Sequence, residues 1–173
     1  NRGDAHWAAG QLSEAISDYT QAVELDPDDS VTYNNRADAL YDQGRPNAAL
    51  ADYNRALELD PQSVDSLNGR GLAFLATGLL DQAEDDFSQA LVRDPALAEA
   101  LVNRGDVRLA QGRPSEALDD YAEALGLEPD LADAYRGRAD AHAGLGNTPA
   151  ALQDMETYLR VGNLTPEQRT EAE

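Results

Sequence analysis

The sequence contains no cysteine and no lysine, and these two absences exclude several classes of site. Without cysteine there are no disulfides, no thiolate metal sites and no cysteine nucleophile. All 13 basic residues are arginine, and 33 acidic residues bring the formal net charge to −20. Nucleic acid is therefore not expected as a partner, because phosphate binding needs a basic surface. No run of about 18 apolar residues occurs, so we expect no membrane insertion; a soluble, cytoplasmic location is favoured, with the compartment left open.

The acidity has two interpretations. An acidic surface can serve solubility or a salt-rich habitat, and it can also attract a basic partner through the field of the whole protein. Both interpretations predict sensitivity to salt, since charges are screened over about 8 Å at physiological ionic strength. The chain begins at Asn1 rather than at a methionine, and we expect it to be part of a longer protein.

The chain aligns with itself when it is shifted by 34 residues. One column is always glycine: Gly10, Gly44, Gly78, Gly112 and Gly146. A second column is mostly aromatic: Tyr19, Tyr53, Phe87, Tyr121 and Met155. A third is mostly proline: Pro27, Pro61, Pro95, Pro129 and Asn163. Glycine takes the left-handed conformation just past a helix end, and proline stops a helix, so each unit is predicted to be two antiparallel helices joined by a short turn.

The period of 34 and the order of its glycine, alanine, aromatic and proline positions resemble the tetratricopeptide repeat family. The resemblance implies an all-α fold, a right-handed superhelical solenoid of about five antiparallel hairpins whose first helices line a concave groove. We predict this solenoid over residues 1–165, with a truncated unit at 1–29 and full units at 30–63, 64–97, 98–131 and 132–165. Residues 166–173 are predicted to begin a C-terminal capping helix, because Thr165, Pro166 and Gln168 match a helix start.

An arginine column and an aspartate column recur with the same period, one before and one after each glycine turn. Their equal distance from the turn places them level on neighbouring helices. We predict structural ion pairs, which arginine suits because its planar fork can engage a carboxylate with two hydrogen bonds. They are Arg36 with Asp52, Arg70 with Asp86, Arg104 with Asp120, and Arg138 with Asp154. The other interpretation, a row of arginines for anionic ligands, is weaker because each arginine has a carboxylate opposite.

The groove face of each first helix is expected about 100° from its core face. It combines acids, apolar side chains and asparagines, whose amides both donate and accept hydrogen bonds and so suit a peptide backbone. The predicted peptide-binding residues are Trp7, Asn34, Asn35, Asp38, Tyr41, Asn68, Leu72, Leu75, Asn103, Asp106, Leu109, Arg136 and Asp140. The acids could instead simply solvate an open face. Against that, exposed Trp, Tyr and Leu side chains on one face are unfavourable unless a partner covers them.

Motifs for chemistry are missing from the sequence. It has no phosphate-binding glycine loop, no zinc motif, no nucleophile elbow and no acid cluster with calcium-loop spacing. We therefore expect no enzyme activity, no metal and no cofactor, and predict a scaffold that binds a protein or peptide with basic and apolar residues. Two alternatives stay open: a self-assembly module that forms homo-oligomers, and an interaction arm of a larger multidomain enzyme.

Overall fold

The computed structural model describes residues 2–162, which form ten α-helices and no strand. In chain order they are α1 (Arg2–Ala8), α2 (Leu12–Leu25), α3 (Ser30–Asp42), α4 (Pro46–Leu59), α5 (Val64–Ala76), α6 (Leu80–Arg93), α7 (Ala98–Ala110), α8 (Pro114–Leu127), α9 (Ala132–Gly144) and α10 (Thr148–Val161). They confirm the predicted all-α fold of helix hairpins. The predicted capping helix at 166–173 lies outside the described residues.

One turn motif joins the two helices of every hairpin. In the turn between α3 and α4, Gly44 has a φ of +77°, the left-handed conformation that glycine adopts without a steric penalty. Its N–H donates to the carbonyl of Tyr41 at 2.8 Å, and the N–H of Arg45 donates to that of Leu40 at 2.9 Å. These bonds satisfy the last carbonyls of α3. The other four glycines of the column have φ between +72° and +77°, which confirms their predicted role as helix stops.

A different connection separates consecutive hairpins. Asp60 follows the end of α4, and its Oδ1 accepts the N–H of Gln62 at 3.0 Å, which turns the chain around Pro61. The hydroxyl of Ser63 then accepts the N–H of Ser66 at 3.2 Å and caps α5. Because proline has no N–H to continue a helix, the chain leaves one hairpin and enters the next within four residues, 60–63.

A buried aromatic ring from the second helix forms the centre of the core in the first four hairpins. Tyr53 is 1% exposed and packs in one cluster with Ala37, Leu40 and Ala49. The backbone of the next hairpin also lies against this ring, since a Cβ atom added at Gly69 would come within 2.6 Å of it. Large rings therefore interdigitate with alanine and glycine, and burial of each ring contributes about 2–3 kcal/mol.

Over residues 2–162 the chain divides into two compact units, with the boundary between Arg93 and Asp94. The first unit contains α1–α6, and α3 contacts α5 as well as its own hairpin partner α4. The second unit contains α7–α10, and α7 contacts α9 in the same way. Within each unit, first helices of neighbouring hairpins therefore lie side by side, and their outer faces can act together.

Candidate partner-binding faces

The predicted groove residues form one face in each compact unit. The N-terminal face is carried by α1, α3 and α5 and consists of Trp7, Asn34, Asn35, Asp38, Tyr41, Asn68, Leu72 and Leu75. The C-terminal face is carried by α7 and α9 and consists of Asn103, Asp106, Leu109, Arg136 and Asp140. Trp7 and Asp140 are exposed and the others are half-buried, so every one of these residues keeps some accessible surface.

Hydrogen bonds join the polar groups of the N-terminal face to one another. Asn34 donates from Nδ2 to Asp38 Oδ2 at 2.9 Å, and its Oδ1 accepts the hydroxyl of Ser66 at 2.8 Å. Trp7 donates from Nε1 to Asp42 Oδ2 at 2.7 Å. The asparagine that we predicted to hold a peptide backbone thus already has internal partners. One N–H and one lone pair of its amide stay available for a ligand.

The acids of the predicted groove hold the core tyrosines. The hydroxyl of Tyr53 donates to Asp38 Oδ1 at 2.6 Å, and that of Tyr121 donates to Asp106 Oδ1 at 2.6 Å. Tyr19 makes the same bond to Asp4 at 2.8 Å. Each buried hydroxyl thereby has an acceptor, which a buried polar group requires. These acids have a structural role that the sequence analysis missed.

The two repeats that lack a tyrosine show what the acid is for. The third repeat has Phe87 where the first, second and fourth have tyrosine, and Leu72 replaces the acid that faces the hydroxyl in those repeats. The fifth has Met155, and there Asp140 is exposed, with Arg136 as its ion-pair partner at 4.0 Å. The joint change at Phe87 and Leu72 was the signal in the sequence that could have revealed the pairing.

Burial makes two acids of these faces, Asp38 and Asp106, harder to ionise. It raises the pKa of Asp38 to about 6, although the hydrogen bond from Tyr53 opposes the rise. The negative charges of Asp42 and Asp65 raise this pKa further. Burial also raises the pKa of Asp106, where the hydrogen bond from Tyr121 acts in the opposite direction. Acids with suppressed ionisation gain from a nearby cation, because it stabilises their charged form.

The two faces differ in their balance of charge. On the C-terminal face the Arg136 guanidinium lies 3.8 Å from Asp133 and lowers the pKa of Asp106. It borders a cavity of about 190 Å³ that is lined by Glu99, Val102, Asn103, Asp106, Leu131, Asp133 and Arg136. On the N-terminal face a smaller cavity of about 90 Å³ is lined by Ser30, Val31, Asn34, Asn35, Asp60, Ser63, Asp65 and Ser66. That lining contains two acids and no arginine, whereas the larger cavity contains three acids and one arginine, so only the larger one holds a cation of its own.

The arginine and aspartate columns meet inside each hairpin. Arg36 donates from Nε and Nη2 to the two oxygens of Asp52 at 2.6 and 2.7 Å. Arg70 pairs with Asp86 at 2.7 Å for both bonds. The remaining pairs have their shortest contacts at 2.7 Å for Arg104 with Asp120 and 2.6 Å for Arg138 with Asp154. All four aspartates are buried, so their carboxylates serve the hairpin rather than a ligand.

The columns hold one pairing that the sequence analysis did not anticipate. Arg108 donates from Nη1 to Asp120 Oδ2 at 2.7 Å, so Asp120 binds two guanidinium groups. The repeat positions equivalent to Arg108 are Leu40 and Phe74, which carry no charge, and His6 and His142. Because only this repeat has arginine there, the 34-residue pattern gave no signal for it.

Metal binding and membrane crossing find no support in the described part of the chain. Across residues 2–162, no three His, Cys, Asp or Glu side chains stand close enough together to hold a metal ion. Over the same residues, every helix is too short or too polar to cross a membrane.

Comparison with known sequences identifies the repeat. A family profile described as "Tetratricopeptide repeat" matches residues 34–98 and 102–163, and one described as "TPR repeat" matches residues 3–44. No curated protein sequence matches the chain.

Solved structures share the fold over nearly the whole chain. A crystal structure of MamA superposes with a TM-score of 0.84 and 22% identity, over 99% of this chain and 98% of that one. MamA from Desulfovibrio magneticus RS-1, residues 41 to the end, superposes with a TM-score of 0.85 and 15% identity, over 94% of this chain and 92% of that one. A tetratricopeptide repeat protein from Parabacteroides merdae superposes with a TM-score of 0.81 and 20% identity, over 99% of this chain and 69% of that one. At these identities the likeness concerns the fold alone.

Proposed function

The chain belongs to the tetratricopeptide repeat family of protein-interaction scaffolds, and we propose that it binds a partner segment rich in basic and apolar residues. The segment lies on the N-terminal face, the C-terminal face, or both. We propose no catalytic step, because the residues of these faces form hydrogen bonds and ion pairs that serve structure. The partner is a protein or peptide and not a nucleic acid, since the net charge is −20.

The observation that carries the proposal is the mixture of acids and accessible apolar rings on the N-terminal face. Trp7 is 37% exposed, which is uncommon for so large an apolar side chain. Tyr41 packs against the core cluster of its hairpin and keeps part of its surface accessible. Aromatic side chains that lie half-covered on a face typically become the centre of an interface.

Charge decides which kind of segment fits. The negative charges of Asp42 and Asp65 oppose the ionisation of Asp38, so a lysine or arginine side chain of a partner relieves repulsion that the isolated chain contains. The chain has no lysine, and none of the residues that define the N-terminal face is an arginine. An acidic segment would add to the repulsion and is disfavoured.

Selection from a random peptide library tests this function. We expect the enriched peptides to combine lysine or arginine with leucine or aromatic residues, and we expect the enrichment to weaken as salt is added. Enrichment of acidic peptides would contradict the proposal. The mass of the chain alone is measured by light scattering in parallel. A mass that increases with concentration, together with no peptide enrichment, would favour the self-assembly alternative over the proposed function.

A further inference from the structure

A cavity of about 450 Å³ opens in the N-terminal unit, and its lining shares no residue with the N-terminal face. Its lining comes from α4, the turn that follows it, α5 and α6: Asn54, Leu57, Glu58, Pro61, Leu67, Arg70, Gln89 and Arg93. On a helix with about 100° per residue, Arg70 lies about 140–160° around α5 from Leu72 and Leu75, and Leu67 lies about 140° from Leu72. The volume is in the range of sites that take a small ligand or one large side chain. We propose that this cavity binds an aromatic side chain of a protein partner.

The equivalent positions in the other repeats indicate which kind of side chain fits the cavity. The position of Leu67 recurs as Tyr33 in the second repeat and as Tyr135 in the fifth. The ring centre of Tyr33 lies 5.6 Å from Cζ of Arg36, and that of Tyr135 lies 5.3 Å from Cζ of Arg138. In these repeats the chain's own ring thus stacks on the arginine three residues further on. The third and fourth repeats have leucine instead, Leu67 before Arg70 and Leu101 before Arg104. The fourth has Leu127 where the third has Arg93, so of these two repeats only the third adds a second arginine at this position.

Arg70 keeps one side for such a ring. Its guanidinium is held in place by two bonds to Asp86 and by one from Nη1 to Asn54 at 2.7 Å. Phe74, one turn further along α5, lies 5.7 Å from Cζ of Arg70. Leu67 lies one turn in the other direction, toward the cavity. A ring that enters the cavity therefore meets the guanidinium from the side on which Tyr33 and Tyr135 meet theirs.

A second guanidinium stands fixed at the rim. Arg93 donates from Nη2 to the carbonyl of Pro61 at 3.0 Å, from Nη1 to that of Gln89 at 2.8 Å, and from Nε to Gln62 at 3.2 Å. Tyr33 likewise has a second arginine near it, Arg55, at 5.9 Å. Because both guanidinium groups are already held, little conformational entropy is lost when a ring binds between them.

The chemistry of the lining favours an aromatic ring over other ligands. Leu57 and Leu67 give an apolar floor, and the two arginines attract the negative face of a π-system. An aliphatic side chain would gain only the apolar contact. A carboxylate would face Glu58 and the net charge of −20, while the arginines already bind oxygens of the chain.

The test uses N-acetyl-tyrosinamide as the probe and N-acetyl-leucinamide as its aliphatic control, followed by NMR of the methyl groups of Leu57 and Leu67. We expect the tyrosine probe to move both methyl signals upfield through its ring current, and the leucine probe to leave them in place. Leu67→Tyr supplies the ring from the chain itself, so the Leu57 signal of that variant should no longer respond. Circular dichroism establishes that the variant is folded.

A variant that is expected to gain a probe-binding site serves as the matched control. Tyr33→Leu removes the ring from the equivalent position of the second repeat and should create a second site, so that two probes bind per chain. Absence of a response in the unmodified chain, or a response that survives Leu67→Tyr, would overturn the proposal. Tyr41→Ala alters the N-terminal face and should leave the probe titration unchanged, so failure of this site and failure of the proposed function are separate results.

Discussion

At the scale of single residues, the main finding is that one acid serves the core and the surface together. Asp38 accepts the buried hydroxyl of Tyr53 with one oxygen and an amide N–H of Asn34 with the other. Its half-buried carboxylate is therefore fixed in orientation at the surface where a partner is proposed to bind. A substitution at Asp38 alters stability as well as binding, and Tyr41 is the cleaner position for a binding test.

A double-mutant cycle measures the bond between Tyr53 and Asp38. Asp38→Leu leaves the buried hydroxyl of Tyr53 without its acceptor, and we expect it to lower the free energy of unfolding by about 1–3 kcal/mol. The double variant with Tyr53→Phe recreates the Phe87 and Leu72 pair of the third repeat. It should be less destabilised than the sum of the single variants, as measured by urea unfolding. Strictly additive effects would contradict the pairing.

The ionisation of Asp38 predicts a dependence of stability on pH. Its pKa in the folded chain, about 6, lies above the ordinary value of 3.8. Between these values the folded chain binds more protons than the unfolded chain, so the free energy of unfolding should decrease as the pH rises from about 4 to about 6. The decrease due to this residue is up to about 3 kcal/mol and is complete above the folded pKa.

Asp38→Asn isolates this contribution, because the amide keeps an oxygen for Tyr53 and has no charge to gain. The difference in unfolding free energy between the unmodified chain and the variant should change between pH 4 and pH 6 and level off above about 7. Titration of the other acids is common to both proteins and cancels in the difference. Parallel pH profiles would show that burial does not shift the pKa of Asp38.

The ion-pair columns offer a comparison of buried and exposed arginines. Removing Arg36 leaves the buried carboxylate of Asp52 without its cation, and we expect Arg36→Ala to cost about 3–5 kcal/mol in unfolding free energy. Arg2 makes the same kind of pair with Asp18 but is 70% exposed in its side chain, so Arg2→Ala should cost much less than Arg36→Ala. Thermal unfolding of both variants checks the order. Equal losses would contradict the structural role of the buried pairs.

At the scale of helices and hairpins, close approach depends on small residues beside the core rings. A Cβ atom at Gly137 in α9 would come within 2.4 Å of the ring of Tyr121 in α8. That ring is fully buried and its hydroxyl is bound to Asp106, so it has little freedom to move away. The distance between neighbouring hairpins is thus set by the absence of a side chain.

Two glycine-to-alanine substitutions in the C-terminal unit test this packing. Gly137→Ala should destabilise the chain by about 1–3 kcal/mol, because the added methyl group overpacks the contact with Tyr121. Gly126→Ala in α8 is the control: nothing lies within 4 Å of its added Cβ atom, and alanine has the higher helix propensity. It should stabilise by about 0.5–1 kcal/mol. Chemical unfolding measures the change in unfolding free energy for both variants. If both variants were stabilised, or both destabilised, the result would contradict the packing role of Gly137.

The elements were predictable from the sequence where local backbone constraints determine them. Gly44 and Pro61 stop helices through their own conformational limits, so the positions of the turns follow from the residues alone. The hydrogen bond from Tyr53 to Asp38 was not predicted, because it depends on the position of the tyrosine hydroxyl relative to the neighbouring helix. The cavity above Leu67 depends on side-chain volumes around it, which a repeat pattern does not encode.

At the scale of the whole molecule, the fold is that of an interaction scaffold, and the net charge supports the proposal of a basic partner. The chain belongs to a family of interaction scaffolds, and its acids outnumber its bases by 20. The N-terminal unit offers two separate surfaces, the acidic and aromatic face of α1, α3 and α5 and the cavity between α4 and α6. A partner that carries both basic and aromatic side chains could engage either one, and the variants above distinguish them.

The most direct test of the central claim is a calorimetric titration of one library-selected basic peptide against two variants. Tyr41→Ala removes an aromatic side chain from the N-terminal face, and Leu25→Ala removes an apolar side chain that is 87% exposed on α2. We expect Tyr41→Ala to weaken binding by about tenfold or more and Leu25→Ala to leave the affinity unchanged. Unchanged affinity for Tyr41→Ala, or equal losses in both variants, would contradict binding on the N-terminal face.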